Sequence, residues 1–513
     1  MAGSPSDRTI ENYVVTSYWY NVGNMEKWRL LFSLIHVTFL AGCGKAPTEA
    51  VIEPSPTSVE IAIPTDPPEP TPTETPRVYT LPEPPLNPTH YKLDLIFNYY
   101  SHFGSVTQQI TYTNKSSQPM GEILLVVPPK NFENSYNQYS LAGDRVANFR
   151  EEGIFTWLSL TSPLQPLDTT TINLSFRIYL PEHPGIYGYT NQQANISDWY
   201  PFIPPFDEVE GWLAYPRVVD ENNIIVGESI VNEFSNFEVN LTLVSHADLI
   251  EVAASAPAEG SDGRYSYKLE HARAFTFSIS DSYFEHEVVQ DGVRIRSYVF
   301  MNQIEQGKQV VELGAQAMKL YGEIWFPYPR ELVSIVVGDF LHNMEMDGLI
   351  MISYGIFDFY NGNPDTDLTL MTSHELSHMW FYGLIGSNHA LEPWLDEAIA
   401  TYSELLYYER YHPDYVDWWW QVRIYRPAPA GYVDSDIWID GGYVPYRNAV
   451  YLKGVQFLHE IRQTVGEGVF FEALKDYAYT NTFNIATRQD FFEAFSRHTQ
   501  TDLTPVIAKY FQN

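Results

Sequence analysis

Between residue 88 and about residue 287, apolar and polar positions alternate in short runs, at 91–97, 106–112, 123–127, 171–179, 237–244 and 275–280. Turn-forming stretches such as Asn114-Lys115-Ser116-Ser117 and Asp262-Gly263 break them up. A period of two with such punctuation predicts strands with one face on a core, so this region reads as a β domain. From about residue 288 to 513 the period lengthens. Helices are predicted over 306–321, 372–382, 395–411 and 451–465, and the apolar runs 332–337 and 349–353 read as buried strands. The fold class that follows is α+β, an antiparallel β domain ahead of a mainly helical one with a small sheet.

Upstream of residue 88 the pattern disappears. Residues 45–87 are rich in Pro, Thr, Ser and Glu and nearly free of aromatics, too little apolar surface for a core, and they read as a tether. At about 3 Å per residue it reaches on the order of 100 Å. Before it, Lys27 and Arg29 precede an apolar run over 30–40 that ends in Leu40-Ala41-Gly42-Cys43. This resembles a bacterial lipoprotein signal with Cys43 as the lipid-bearing residue, and Met25 is the expected start. Cys43 is the only cysteine in the chain, so neither disulfides nor a thiol nucleophile is expected elsewhere. The expected organisation is 1–43 extension and signal peptide, 44–87 tether, 88–287 β domain and 288–513 catalytic domain. A net charge of −34 argues against nucleic acid as a partner.

The chemistry concentrates in His374-Glu375-Leu376-Ser377-His378, followed by Glu397 in Trp394-Leu395-Asp396-Glu397-Ala398. Positions i and i+4 of a helix share a face, so both histidines can offer a ring nitrogen to one ion while Glu375 projects beside it. Two histidines and a carboxylate leave one position of a tetrahedral zinc open to water, the composition of a catalytic centre. Glu375 is then the expected base. Thr372 or Ser373 is the expected helix cap. The run Trp418-Trp419-Trp420 reads as packing.

These residues, with Trp394-Leu395-Asp396-Glu397-Ala398-Ile399-Ala400-Thr401-Tyr402, resemble the gluzincin aminopeptidases, the family of aminopeptidase N and leukotriene A-4 hydrolase. Two further segments extend the resemblance. Asn343-Met344-Glu345-Met346-Asp347-Gly348 is similar to the family's segment whose glutamate binds the substrate's free amine, which implies a substrate-binding role for Glu345 with Met344 beside it. Tyr451-Leu452-Lys453-Gly454 is similar to the segment whose phenol stabilises the tetrahedral intermediate, which implies a catalytic role for Tyr451 beside that of Glu375. His374, His378 and Glu397 would hold one Zn2+. Glu404 falls on the family's second acidic position of that helix, behind His374 or His378. The resemblance also implies a saddle-shaped sheet followed by a thermolysin-like domain.

The chain departs from the family pattern in places. His342 and Asn343 stand where glycine and a small residue are usual, Met346 and Asp347 replace asparagine and its neighbour, and Asp396 replaces an asparagine. A β-domain residue that assists amine binding is expected before Trp199, with Gln193 and Asn195 as candidates. Longer family members continue into a helical domain that closes over the site, so the expectation here is a more open cleft or coverage by another chain. The resulting expectation is a zinc aminopeptidase acting on peptides outside the cytoplasm and lipid-anchored to a bacterial membrane. A zinc endopeptidase and a non-catalytic surface-binding lipoprotein are the alternatives.

Overall fold

The computed structural model describes residues 81–512 apart from residue 223. Met25, Cys43 and the expected tether as far as residue 80 lie outside the described residues. The first region is built on a seven-stranded sheet. Its strand order is Glu259–Ser261, Arg264–Ala272, Ser235–Leu243, Thr89–Asn98, Phe103–Thr113, Thr169–Tyr179 and Tyr136–Gly143. Alternation builds it as expected: Thr89–Asn98 turns Tyr91, Leu93, Leu95 and Phe97 into the core and leaves Lys92, Asp94 and Ile96 exposed. The sheet is not antiparallel throughout. Thr89–Asn98 and Ser235–Leu243 pair in parallel, which the long connection between them permits.

The strand expected over 275–280 begins at Phe277. Ahead of it the backbone bonds to side chains in place of a neighbouring strand: Phe275 N–H donates to the Tyr200 hydroxyl and the Phe275 carbonyl accepts from Trp199 Nε1. The expected boundary at 287/288 also moves. Phe284–Gln290 pairs with Val293–Val299 and so belongs to the second sheet, because its alternation continues across a tight Asp291-Gly292 turn.

That second sheet runs Phe284–Gln290, Val293–Val299, Leu332–Gly338, Leu349–Ser353 and Met344–Met346, with Leu332–Gly338 buried at every position. Met344–Met346 and Phe284–Gln290 are its two edge strands. Ile304–Ile324 and Asp367–Ser377 pack on it, and Trp394–Tyr411 packs in turn on Asp367–Ser377.

Two helix boundaries correct the sequence expectation. The motif helix begins at Asp367, behind Thr366, and ends at Ser377, not at residue 382. Thr372 and Ser373 are interior, and Ser373 Oγ donates to the Leu370 carbonyl. An acidic residue in the first turn suits the helix dipole. At the other end the Gly383 N–H closes on the His378 carbonyl, ending the helix. The helix expected over 451–465 begins at Gly454, preceded by the π-helical turn Asn448–Lys453 that carries Tyr451. Gly454 is required by packing: a Cβ there would stand 2.4 Å from Ala398 Cβ, one residue from Glu397.

Candidate metal centre and active site

His374 and His378 project from the motif helix and its end, and Glu397 from the first turn of Trp394–Tyr411. His374 Nε2 lies 3.3 Å from His378 Nε2. Glu397 Oε2 lies 3.4 Å from His374 Nε2 and 3.7 Å from His378 Nε2. A tetrahedral zinc with bonds of about 2.0–2.1 Å holds its ligand atoms about 3.3–3.4 Å apart, so this triangle has the dimensions of one face of such a centre. Glu397 Oε2 is buried without a hydrogen-bond partner, as a ligand atom reserved for an ion would be. The residues present therefore fit zinc.

Each imidazole is held from behind. His374 Nδ1 is 2.9 Å from Glu404 Oε1. Glu404 is fully buried, and it accepts from Trp419 Nε1 at 3.0 Å and from Arg423 at 2.8 and 3.0 Å. Burial alone would raise its carboxyl, but Arg423 and His374 outweigh that and hold it below the ordinary range. Trp419, expected as packing, is thus also a donor that orients a carboxylate. His378 Nδ1 is 2.6 Å from Asp396 Oδ1 and 3.0 Å from the Phe381 carbonyl. Asp396, the departure from the family's asparagine, is buried behind the second histidine. With both Nδ1 atoms engaged in this way, both Nε2 atoms point their lone pairs at the metal position.

Glu375 and Glu345 are both buried, and neither carboxylate makes a hydrogen bond among the described residues. Burial, helped by Glu397 and Glu404 and opposed by His374 and His378, pushes the Glu375 carboxyl up to about 7. Glu345, 7% exposed on the edge strand, is raised well above the carboxylate range by burial. His378 opposes the rise, while Glu228, Glu397 and Glu375 add to it. Met344 beside it is half-buried and packs on the core. The Tyr451 ring lies parallel to that of His374, centroids 6.2 Å apart. Burial and then the Glu397 charge raise its phenol well above 10, so it stays protonated and able to donate.

Other departures prove structural. Asp347 is fully buried and accepts from the backbone N–H groups of Arg273 and Ala274 and from Arg330, binding the two domains together. Gly348 follows with φ +65°, and a Cβ there would meet the Ser255 carbonyl oxygen at 2.3 Å. Gln193 and Asn195, the candidates for amine binding, are buried and occupied. Gln193 donates to Tyr283 and the Val337 carbonyl and accepts from Asp339 N–H; Asn195 donates to the Gly185 carbonyl and accepts from Ser278. The β-domain carboxylate nearest in effect is Glu228, whose charge adds to the rise in Glu345 and whose Oε2 lies 3.7 Å from His389 Nδ1. Neither it nor Arg273 nor His389 carries a local sequence signal.

The profile of the Peptidase family M1 domain matches residues 443–510. Aminopeptidase M1-D of Oryza sativa subsp. japonica is 29% identical over 138 residues, 26% of this chain and 16% of the relative. Aminopeptidase N of Lactobacillus helveticus is 27% identical over 255 residues, 46% of this chain and 30% of the relative. The chain thus spans less than a third of the length of either. Among solved structures, the M1 zinc metallopeptidase from Deinococcus radiodurans aligns with a TM-score of 0.58 at 16% identity, over 83% of this chain and 94% of that one. An E323A mutant of that enzyme bound to a Tyr-Ser-Ala substrate aligns with a TM-score of 0.56 at 17% identity, over 82% and 93%. At such identity the structural likeness speaks to the fold, which is shared across both domains. In sequence the chain is thus similar in part to M1 aminopeptidases, and in fold to two-domain M1 zinc metallopeptidases.

Proposed function

We propose that this chain is a zinc-dependent aminopeptidase that removes N-terminal residues from peptides outside the cytoplasm, anchored to a bacterial membrane by lipid on Cys43. The observation that carries the peptidase reading is Glu345. It is a buried carboxylate on an edge strand, without a hydrogen-bond partner, next to a zinc-sized triangle of ligands. An unpaired buried carboxylate is costly unless a cation joins it, and a substrate ammonium group is such a cation. Met344–Met346 ends its sheet, and an extended peptide added there as a further strand would set the amine at a fixed distance from the metal ligands.

Zinc held by His374, His378 and Glu397 would polarise the scissile carbonyl and acidify a water molecule. Glu375, whose pKa sits near neutrality, takes the proton from the attacking water and passes it to the departing amine. Tyr451 donates a hydrogen bond to the oxygen on which negative charge develops. The substrate-bound Deinococcus radiodurans structure supports the reading of a peptide as the substrate.

The test is release of an amino acid from aminoacyl fluorogenic substrates, with and without a chelator, beside N-acetylated peptides. Chelator-sensitive cleavage confined to free-amine substrates, and lost in Glu345→Ala, is expected. Equal internal cleavage of acetylated peptides that ignores Glu345→Ala would make the protein an endopeptidase. For the location, Cys43→Ser should lose the lipid label and leave the membrane fraction; an unlabelled wild type that stays on the membrane would refute the lipid anchor.

A further inference from the structure

Residues 214–230 of the β domain make an irregular excursion, closed by the bridges Ala214–Ile230 and Val219–Ile225. Two glycines let it lie against the catalytic domain. Gly227 has φ +61°, and a Cβ there would stand 2.6 Å from the Tyr446 hydroxyl oxygen and 2.7 Å from Ile437 Cγ2. Gly442 has φ +78°, and a Cβ there would meet Asp220 Cβ at 2.4 Å. Tyr446 is buried, and its ring centre is 6.0 Å from that of Tyr451. The same contact therefore brings the next residue, Glu228, toward the proposed catalytic centre.

Glu228 arrives there without a counter-charge. Its side chain is 32% exposed, and its carboxylate makes no hydrogen bond among the described residues. His389 Nδ1 lies 3.7 Å from its Oε2, beyond hydrogen-bond distance. That imidazole brings no charge: Arg273 Nη1 faces its Nε2 at 2.6 Å, guanidinium groups only donate, and Nε2 must then accept. Arg273 itself is engaged with His389, the Asn232 carbonyl and the Tyr382 ring, and no ion pair joins it to Glu228 among the described residues. Arg423 is matched by Glu404 and Arg330 by Asp347. Asp198 adds further negative charge: burial, and then the Glu228 charge, raise its carboxyl to about 6, with Arg217 opposing the rise. Glu345, 7% exposed and unpartnered, has a carboxylate oxygen within 4.8 Å of ligand atoms of His378 and Asp396, and the Glu228 charge reaches it too. The two charges of a zinc ion would answer Glu397 and Glu375, and a substrate α-ammonium group would answer Glu345. Glu228 is left over, facing the cleft, as a partner for a second positive charge on the same substrate. We infer that Glu228 selects peptides whose first residue is basic, its carboxylate taking the side-chain cation of lysine or arginine while Glu345 takes the α-ammonium group. Sharing the α-ammonium between the two carboxylates would set one positive charge against two negative ones, whereas a basic first residue brings two.

The inference rests on the aminopeptidase reading above, and its test compares lysyl and norleucyl fluorogenic substrates on the zinc-loaded full-length protein. Norleucine offers nearly the same unbranched stem without the terminal ammonium group. Wild type should favour the lysyl substrate by at least about tenfold in kcat/KM, the scale of one charge pair in a partly dehydrated cleft. Glu228→Gln should bring that ratio to about one, and Glu228→Lys should push it lower still by setting like charges against each other. Both substrates meet the same preparation, so any loss of folded protein cancels from the ratio. An equal loss on both substrates in Glu228→Gln, with the ratio kept, would assign Glu228 to the α-ammonium group or to packing and overturn the inference. So would a wild type that cleaves both substrates alike. Calorimetry reads the same site without turnover: free L-lysine should bind at least about tenfold tighter than L-norleucine, and Glu228→Gln should remove the difference. Equal affinities in the wild type would overturn the inference while leaving chelator-sensitive cleavage of both substrates, and so the aminopeptidase reading, in place. Failure to cleave either substrate would overturn that reading and this inference with it.

Discussion

The imidazole of His374 and the carboxylate of Glu404 meet at 2.9 Å, although neither residue is exposed and Glu404 lies about two helical turns beyond the metal-ligand position Glu397. Glu404 also holds Arg423 and Trp419, so it has no spare acceptor for an amide replacement to satisfy. Glu404→Gln would set an NH2 group against donors. Zinc affinity should fall about 10- to 100-fold in chelator competition. The protein should also melt lower, because Arg423 loses its buried counter-charge. Wild-type affinity in this variant would assign Glu404 to packing alone.

Glu375→Gln keeps the size and polarity of the base and removes its ability to take a proton. Zinc content should stay near wild type while kcat falls at least about a hundredfold. The base works ionised, so the wild-type rate should fall as pH drops through its pKa. The Glu375 carboxyl is pushed up to about 7 by burial, and an adjacent dication favours its ionised form, so the acid limb should lie below pH 7. The residual rate of the variant should lack that limb. Full activity in Glu375→Gln would exclude this base.

The parts of this architecture that depend on local periodicity were readable from the chain. Four strands of the large sheet, Thr89–Asn98, Phe103–Thr113, Thr169–Tyr179 and Ser235–Leu243, and the helix carrying Glu397 follow from alternation and from 3.6-residue spacing, whereas Tyr136–Gly143, Glu259–Ser261 and Arg264–Ala272 were not expected. His374, Glu375, His378 and Glu397 stand out because their spacing is local. What was not readable is set by approach in space. Arg273 and His389 are ordinary residues until the fold brings a sheet terminus and a loop together behind Asp396. Gln193 was a reasonable candidate by position, but its amide is used across the domain junction, and Glu228 arrives from a loop with no periodic signal. Asp347 looked like a change in a substrate subsite and is instead a buried tie. The early start of the motif helix at Asp367 was hidden because Thr372 and Ser373, good caps in principle, are interior.

Tyr451 is set on a π-helical turn whose continuation, Gly454, packs against Ala398. Tyr451→Phe keeps the ring parallel to His374 and removes only the donor. We expect kcat to fall about 10²- to 10³-fold, with KM for aminoacyl substrates changed little, the pattern of a bond made chiefly in the transition state. Replacing Gly454 by alanine should act on the same step by a different route, since the added Cβ must displace the helix that carries Glu397. That variant should lose zinc affinity as well as rate, whereas Tyr451→Phe should not. A Tyr451→Phe enzyme with wild-type kcat would remove the phenol from the mechanism.

Buried histidines lower stability as the solution becomes mildly acidic, in opposition to the buried carboxyls of Glu345, Glu375, Glu228 and Asp198, whose raised values favour proton uptake by the folded chain. Burial lowers the pKa of His102, His271, His412 and His459 below the ordinary value. His271 Nδ1 and His412 Nε2 are buried without partners, so a proton added there finds no acceptor. The unfolded chain takes up these protons from about pH 6.5 downward, whereas the folded chain resists them until the lower folded values are reached. The unfolded state therefore binds more protons across that interval, and stability drops as pH falls through it. Metal-bound His374 and His378 add to the drop, since protons compete with zinc for them. The histidine contribution is read as the difference in thermal midpoint between the zinc-loaded wild type and a variant lacking these imidazoles, which should grow as pH falls from 7 toward 5. His271→Phe with His412→Phe makes such a variant for two of them, because both sites are lined by aromatic rings that tolerate another apolar side chain. A double variant whose midpoint follows pH as the wild type's does would show that these buried imidazoles do not contribute to the acid response.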